Sequence, residues 1–133
     1  MKKVWYFRIL TLLYLGAVAL LCFANFSNVS EMPRTIFGLQ ADKVVHFLMF
    51  LPFPLLSFYS FESGRRSFMK TFLLLVALFV LGCLLAWGTE LIQSKLPYRS
   101  MDPEDFKADR LGLLCGTLAA FVVQLFRFKK QDA

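Results

Sequence analysis

The sequence predicts an all-α membrane protein: a bundle of four transmembrane helices with both termini on the cytoplasmic side and a polar pocket at the extracytoplasmic end. Three observations carry that expectation. The 133 residues are 58% hydrophobic and only 18% charged, and the mean hydropathy of +0.60 exceeds what a water-soluble domain ordinarily shows. The apolar residues fall into four runs, each near the roughly 20 residues that cross a bilayer. Lysines and arginines stand in small groups at the ends of those runs, as membrane orientation signals do, so the net charge of +6 does not point to nucleic acid. Four spans with short loops occupy residues 1–133 as a single domain and leave no room in it for a separate soluble one.

The first run, residues 4–23, follows Met1-Lys2-Lys3, a start that secretory signals share. It is longer than the roughly 7–15 residues of a signal's apolar region and reads as a retained helix. Residues 25–41, with Pro33 and Gly38, are too polar to span and form the first outside loop. Asn25-Phe26-Ser27 and Asn28-Val29-Ser30 there match the short glycosylation pattern. The second run, 44–61, carries Pro52 and Pro54 at its middle; each removes a backbone donor and crowds the preceding turn, so this helix is kinked. The third and fourth, 68–93 and 103–128, are unbroken. Cys22, Cys83 and Cys115 all lie inside apolar runs without metal or disulfide spacing and read as buried, unpaired thiols. Trp5, Tyr6, Trp87 and Tyr98 near the helix ends suit interface anchoring, and the phenylalanines read as lipid-facing or packing surface.

Orientation follows from the basic residues. One side holds Lys2, Lys3, Arg8, Arg65, Arg66, Lys70, Arg127, Lys129 and Lys130, nine in all, with only Glu62 and Asp132 as acids. The other holds six, Arg34, Lys43, Lys95, Arg99, Lys107 and Arg110, with the seven remaining acids. The nine-residue side is read as cytoplasmic.

A helix rises about 1.5 Å per residue, so about 20 residues cover the roughly 30 Å hydrocarbon core. Counting outward from Lys70 on the third run reaches Glu90; from Arg65 back on the second, His46; from Arg127 back on the fourth, Lys107 beside Asp109. Three helices thus bring ionisable groups to one level. Helical spacing puts Asp42, Lys43 and His46 on one face, Glu90 and Gln93 on a second, and Asp102, Asp105 and Asp109 on a third.

Plainer readings stand beside these. Asp102, followed by Pro103 and with Asp105 three positions on, has the form of a helix cap as much as of a site residue. Lys43 and Lys107, each taken alone, read as snorkelling to the headgroups, and His46 alone reads as an interfacial histidine. Glu90 ends the apolar run 72–89 and calls for a partner such as Arg99 or His46. Gly112 and Gly116 form G-x-x-x-G, read as helix packing within the chain, with oligomerisation the alternative.

Asp42-Lys43-x-x-His46-Phe47, Glu90-x-x-Gln93, Arg99, Asp105 and Asp109-x-x-Gly112-x-x-x-Gly116, in that order, resemble the VanZ-like family of small bacterial membrane proteins across about 75 residues. The family is named for a protein associated with teicoplanin resistance. The resemblance implies a four- or five-helix bundle in the bacterial cytoplasmic membrane, with Asp42, Lys43, His46, Glu90, Gln93, Arg99, Asp105 and Asp109 as functional positions. It does not settle a molecular activity. At the position of Asp109 the family pattern more often has asparagine, so this chain carries an extra carboxylate beside Asp105.

The first functional expectation is a binding site for an anionic lipid headgroup or a lipid-linked cell-wall precursor. Arg99, Lys43 and His46 would contact phosphate, and the protein would modulate envelope properties or glycopeptide sensitivity without catalysis. The second is a membrane-embedded lipid hydrolase or transferase with His46 or Glu90 as general acid or base, and room for a metal among Asp102, Asp105, Asp109 and Glu90. No established metal or nucleophile motif is present, so neither metal nor cofactor is expected from the sequence. The third is a structural or assembly role with a membrane protein partner or a second copy. A transporter fits less well, since ionisable residues are lacking at the midplane.

Overall fold

Unbroken apolar runs become unbroken helices. A computed structural model describes residues 2–25, 33–61 and 66–132, and among them α1 spans Lys2–Phe23, α4 Phe68–Gln93 and α5 Pro103–Asp132. The first and third match the predicted spans closely; α5 continues beyond residue 128 through the basic Lys129 and Lys130, whose charges suit a helix C-terminus. Apart from Asn25, the residues of the glycosylation patterns, together with Glu62 and Arg65, lie outside those described.

The second run corrects the expectation of one kinked helix over 44–61. It forms two helices, α2 Ala41–Phe50 and α3 Phe53–Ser60, with Leu51 and Pro52 in the turn between them. Pro52 and Pro54 cannot donate to the carbonyls four residues back, so the ladder cannot pass intact through this point. It resumes on either side, with Leu51 N–H bonded to the Phe47 carbonyl at 3.1 Å and Leu56 N–H to Pro52 at 3.0 Å. At the break the Tyr14 hydroxyl donates to the Met49 carbonyl at 2.5 Å, as a polar group from a neighbouring helix does where a transmembrane helix is interrupted. Ala41–Ser60 together remain one membrane-length segment, and four segments are long and apolar enough to cross a bilayer.

Before α2 lies a short hairpin. β1 Thr35–Ile36 pairs antiparallel with β2 Leu39–Gln40, turned by Phe37 (φ 52°) and Gly38 (φ 79°). Two successive positive φ values match a type I′ hairpin turn. Phe37 holds a conformation that costs a bulky residue energy, and its ring is fully exposed.

The helices bury narrow stripes. On α4 these are Thr71, Leu75, Leu78, Gly82, Ala86, Glu90 and Gln93, recurring every three or four residues. Leu73, Val76, Val80 and Leu84 on its other faces stay exposed, a surface that lipid tails solvate and water does not. Small residues allow close backbone approach. A Cβ on Gly112 would run into the Phe47 carbonyl, one on Gly116 into the Leu51 carbonyl, and one on Gly82 into the Leu113 side chain. The G-x-x-x-G spacing thus packs α5 onto α2 and the turn that follows it. One apolar cluster joins Val18, Met49, Phe50, Phe53, Ala86 and Leu113; a second, towards the chain termini, joins Phe58, Leu75, Leu78 and Ala120. Arg8 Nε donates to the Ser60 carbonyl at 3.2 Å, and the Thr11 and Ser60 hydroxyls bond at 2.8 Å, tying α1 to the end of α3. The C-terminal ends of α1 and α4 and the N-terminal ends of α2 and α5 meet at the opposite end of the bundle.

Candidate functional site

Lys43, in the first turn of α2, reaches across to the start of α5. Its ammonium pairs with Asp102 at 2.5 Å, with Asp42 at 3.2 Å and with Asp105, and its side chain is 19% exposed. This corrects the snorkelling reading: the charge is drawn sideways into three carboxylates instead of up into the headgroups. Lys107 behaves differently, pairing at 2.6 Å with Glu104 on the open surface away from the cluster. Asp102 fills both of the roles weighed for it. One oxygen accepts from Glu104 N–H at 2.9 Å, capping α5, while the other accepts from Lys43. The Lys43 ammonium, with the Glu104 N–H, holds the Asp102 carboxyl below the usual carboxylate range.

Beneath this layer lies a buried one. His46 Nδ1 is 2.8 Å from Asp109 Oδ1, and its Nε2 faces Asp105 Oδ2 at 3.5 Å. Glu90 and Asp109 are both 0% exposed. Glu90 Oε2 accepts from the Asp102 N–H at 3.3 Å, so a carboxylate on α4 secures the entry to α5. Glu90 Oε1 and Asp109 Oδ2 are buried without a hydrogen-bond partner. One ligand atom each from His46, Glu90 and Asp109 lie within 4.8 Å of one another, so His46 and Glu90, which helix-rise counting reaches, meet on α5 not the Lys107 that it reaches there but the nearby Asp109. Asp42, Asp102 and Asp105 form a second such group, but there the Lys43 ammonium already supplies the positive charge.

Arg99 reaches the end of α1. It donates to the Leu21 carbonyl at 2.9 Å and to Ala24 at 3.4 Å. Gln93 Nε2 donates to the Cys22 carbonyl at 3.0 Å and the Tyr98 hydroxyl to Phe23 at 2.7 Å. Three side chains from the end of α4 and its following loop thus satisfy carbonyls that the end of α1 leaves without helical donors. Tyr98, expected from the sequence as an interface anchor, thus makes a hydrogen bond to the end of α1.

Above the buried layer opens a cleft of about 610 Å³, within the range of small-molecule sites. Its polar lining includes Arg34, Arg99, Gln93, His46, Asp42 and Asp102; Leu21, Val45 and Met49 form its apolar wall. Lys43, Glu90, Asp105 and Asp109 stand behind or below it, and Gly112 lies one turn beyond Asp109 against Phe47. Arg34 is the lining residue that sequence reading enters only as a charge. No spacing rule relates it to the helices, because the turn of the hairpin brings it to the cleft.

No curated protein and no solved structure gives a significant match to this chain. A family model described as VanZ/LLP1 matches residues 5–126, which reaches into all four membrane-length helices and includes every residue of the cluster just described. The chain therefore belongs to the VanZ/LLP1 family.

Proposed function

We propose that this VanZ-family membrane protein lies in the bacterial cytoplasmic membrane with both termini inside. In the cleft it binds an anionic lipid headgroup or lipid-linked cell-wall precursor, and through that ligand it modulates envelope properties or glycopeptide sensitivity. The observation that carries the reading is the pairing, in one cleft, of the guanidinium groups of Arg34 and Arg99 with an apolar wall of Leu21, Val45 and Met49. Guanidinium matches a phosphate with two parallel hydrogen bonds, and the wall suits the first carbons of an acyl or prenyl chain. Lys43 is committed to three carboxylates; in this reading it positions the cleft floor, and Arg34 supplies the second guanidinium.

Native mass spectrometry of the detergent-extracted chain tests this. Wild type should carry an anionic adduct whose mass separates an ordinary phospholipid from a prenyl-linked precursor. A charged hydrogen bond is worth about 1.5–3 kcal/mol, so Arg34→Ala should weaken the adduct roughly 10- to 100-fold. Arg99→Ala should weaken it as well, but it also releases the end of α1, so the Arg34 variant is the cleaner comparison. Wild type without a specific adduct would turn the reading towards an assembly role.

A further inference from the structure

We propose that His46, Glu90 and Asp109 bind a divalent transition-metal cation beneath the cleft. The starting point is an imbalance of charge. The outer carboxylates, Asp42, Asp102 and Asp105, have the Lys43 ammonium among them. The inner pair has no lysine or arginine bonded to it among the described residues. Two of its oxygens, Glu90 Oε1 and Asp109 Oδ2, are buried without a hydrogen bond. Buried carboxylate oxygens left unpaired are costly, and more so at the edge of a bilayer.

The geometry fits a cation that gathers these groups. Metal–ligand distances of about 2.0–2.2 Å to imidazole nitrogen and carboxylate oxygen place neighbouring ligand atoms about 3.0–3.5 Å apart, from octahedral to tetrahedral coordination. His46 Nδ1 and Asp109 Oδ1 stand 2.8 Å apart as a hydrogen-bonded pair, which a cation taking the place of the shared proton would open slightly, and all three residues offer atoms within 4.8 Å of one another. With Nδ1 on the metal, Nε2–H is directed at Asp105 Oδ2, 3.5 Å away. A ligating histidine typically directs its other ring N–H to just such a carboxylate, which fixes the ring and raises its basicity. Asp105 is in turn held by Lys43, so the outer cluster orients the inner one. Imidazole among the ligands favours zinc, iron or a similar ion over magnesium or calcium. His46 also lines the cleft, which gives the ion a way in and leaves a coordination position facing it. The proposal stands on these three side chains alone and does not depend on what the cleft binds.

The test uses the full-length chain in detergent, purified without a histidine tag so that His46 is its sole histidine. Titration with Zn²⁺ should show one equivalent bound per wild-type chain, removable by chelator, and Co²⁺ should give visible ligand-field bands shifted from those of aqueous Co²⁺. Asp109→Asn and Glu90→Gln, near-isosteric changes, should each weaken Zn²⁺ at least about 100-fold. Asp105→Asn should weaken it about 10- to 100-fold through loss of the orienting contact. Glu104→Gln, which removes a carboxylate from the exposed pair with Lys107, should bind as wild type does. Should a variant fail to fold, the Co²⁺ spectrum of the wild-type chain still decides. Bands unchanged from aqueous Co²⁺, less than one equivalent of Zn²⁺, or equal binding by wild type and folded Asp109→Asn would each overturn the site and leave protons to neutralise the inner carboxylates.

Discussion

Gly112→Ala adds one methyl group and should cost more than most polar substitutions at the chain's surface. The new Cβ would collide with the Phe47 carbonyl oxygen, and it would also lie 3.1 Å from the Phe47 carbonyl carbon and 3.3 Å from Leu51 N. A side chain could swing aside, but this obstacle is backbone. The Phe47 oxygen also accepts the Leu51 N–H at 3.1 Å, the last α2-type bond before the proline break, so it cannot rotate away without losing that bond. Overpacking of this kind costs about 1–3 kcal/mol, at the upper end where nothing can yield. Alanine returns about 0.8–1 kcal/mol of helix propensity, which leaves a net loss of about 2 kcal/mol, or roughly 30-fold in the folding equilibrium. Gly88→Ala on α4 is the matched control: no atom lies within 4 Å of the Cβ position, so only the propensity term applies and stability should rise slightly. Thermal unfolding of both variants in one detergent should place Gly88→Ala at or above wild type and Gly112→Ala clearly below it. Gly112→Ala should also lose cleft ligand, because pushing α2 away separates His46 from Asp109. Equal melting of Gly112→Ala and wild type would refute the close backbone contact.

Three further outcomes follow from individual contacts. Lys43→Met should destabilise the chain by about 1–3 kcal/mol, less than a fully buried pair because Asp42 and Asp102 remain partly solvated. Its pH dependence has a definite sign. The depressed Asp102 carboxyl contributes stability above the ordinary carboxylate range that is lost as pH falls through its lowered value, so the stability gap between wild type and Lys43→Met should be full near neutral pH and close on acidification. An acid-unfolding profile identical to wild type would count against the ion cluster. Tyr14→Phe removes the donor to the Met49 carbonyl and should lower stability by about 1 kcal/mol; an unchanged melting temperature would mean that the broken segment does not depend on α1. With the native cysteines replaced, an impermeant maleimide added outside cells should label Lys95→Cys near the cleft and spare Lys130→Cys at the other end. The reverse pattern would invert the proposed orientation.

Much of the architecture was legible because a bilayer asks simple things of a sequence. Spans 4–23 and 68–93 could be placed nearly to the residue from apolar length alone, since each must satisfy its backbone internally and cross a fixed thickness. The same thickness turned residue number into an expected depth, so His46, Glu90 and Lys107 with its neighbour Asp109 could be set at one level from the sequence. Residue number carries no azimuth between helices. Only the packed bundle decided that Lys43 turns sideways to Asp102 and Asp105, that Arg99 serves the end of α1, and that Asp102 both caps a helix and binds a lysine. Pro52 and Pro54 announced a disturbance, but that the Tyr14 hydroxyl donates to the Met49 carbonyl at the break was left to the packing of α1. Arg34 reached the cleft through a hairpin whose strands are two residues each, too short to leave a period in the sequence. The sequence by itself determined which segments are long and apolar enough to cross and where along its own helix each polar group stands, because both are properties of one helix at a time. Which groups touch was left to the tertiary structure, because contact depends on how four helices rotate against one another, and here small residues such as Gly82, Gly112 and Gly116 fix that rotation.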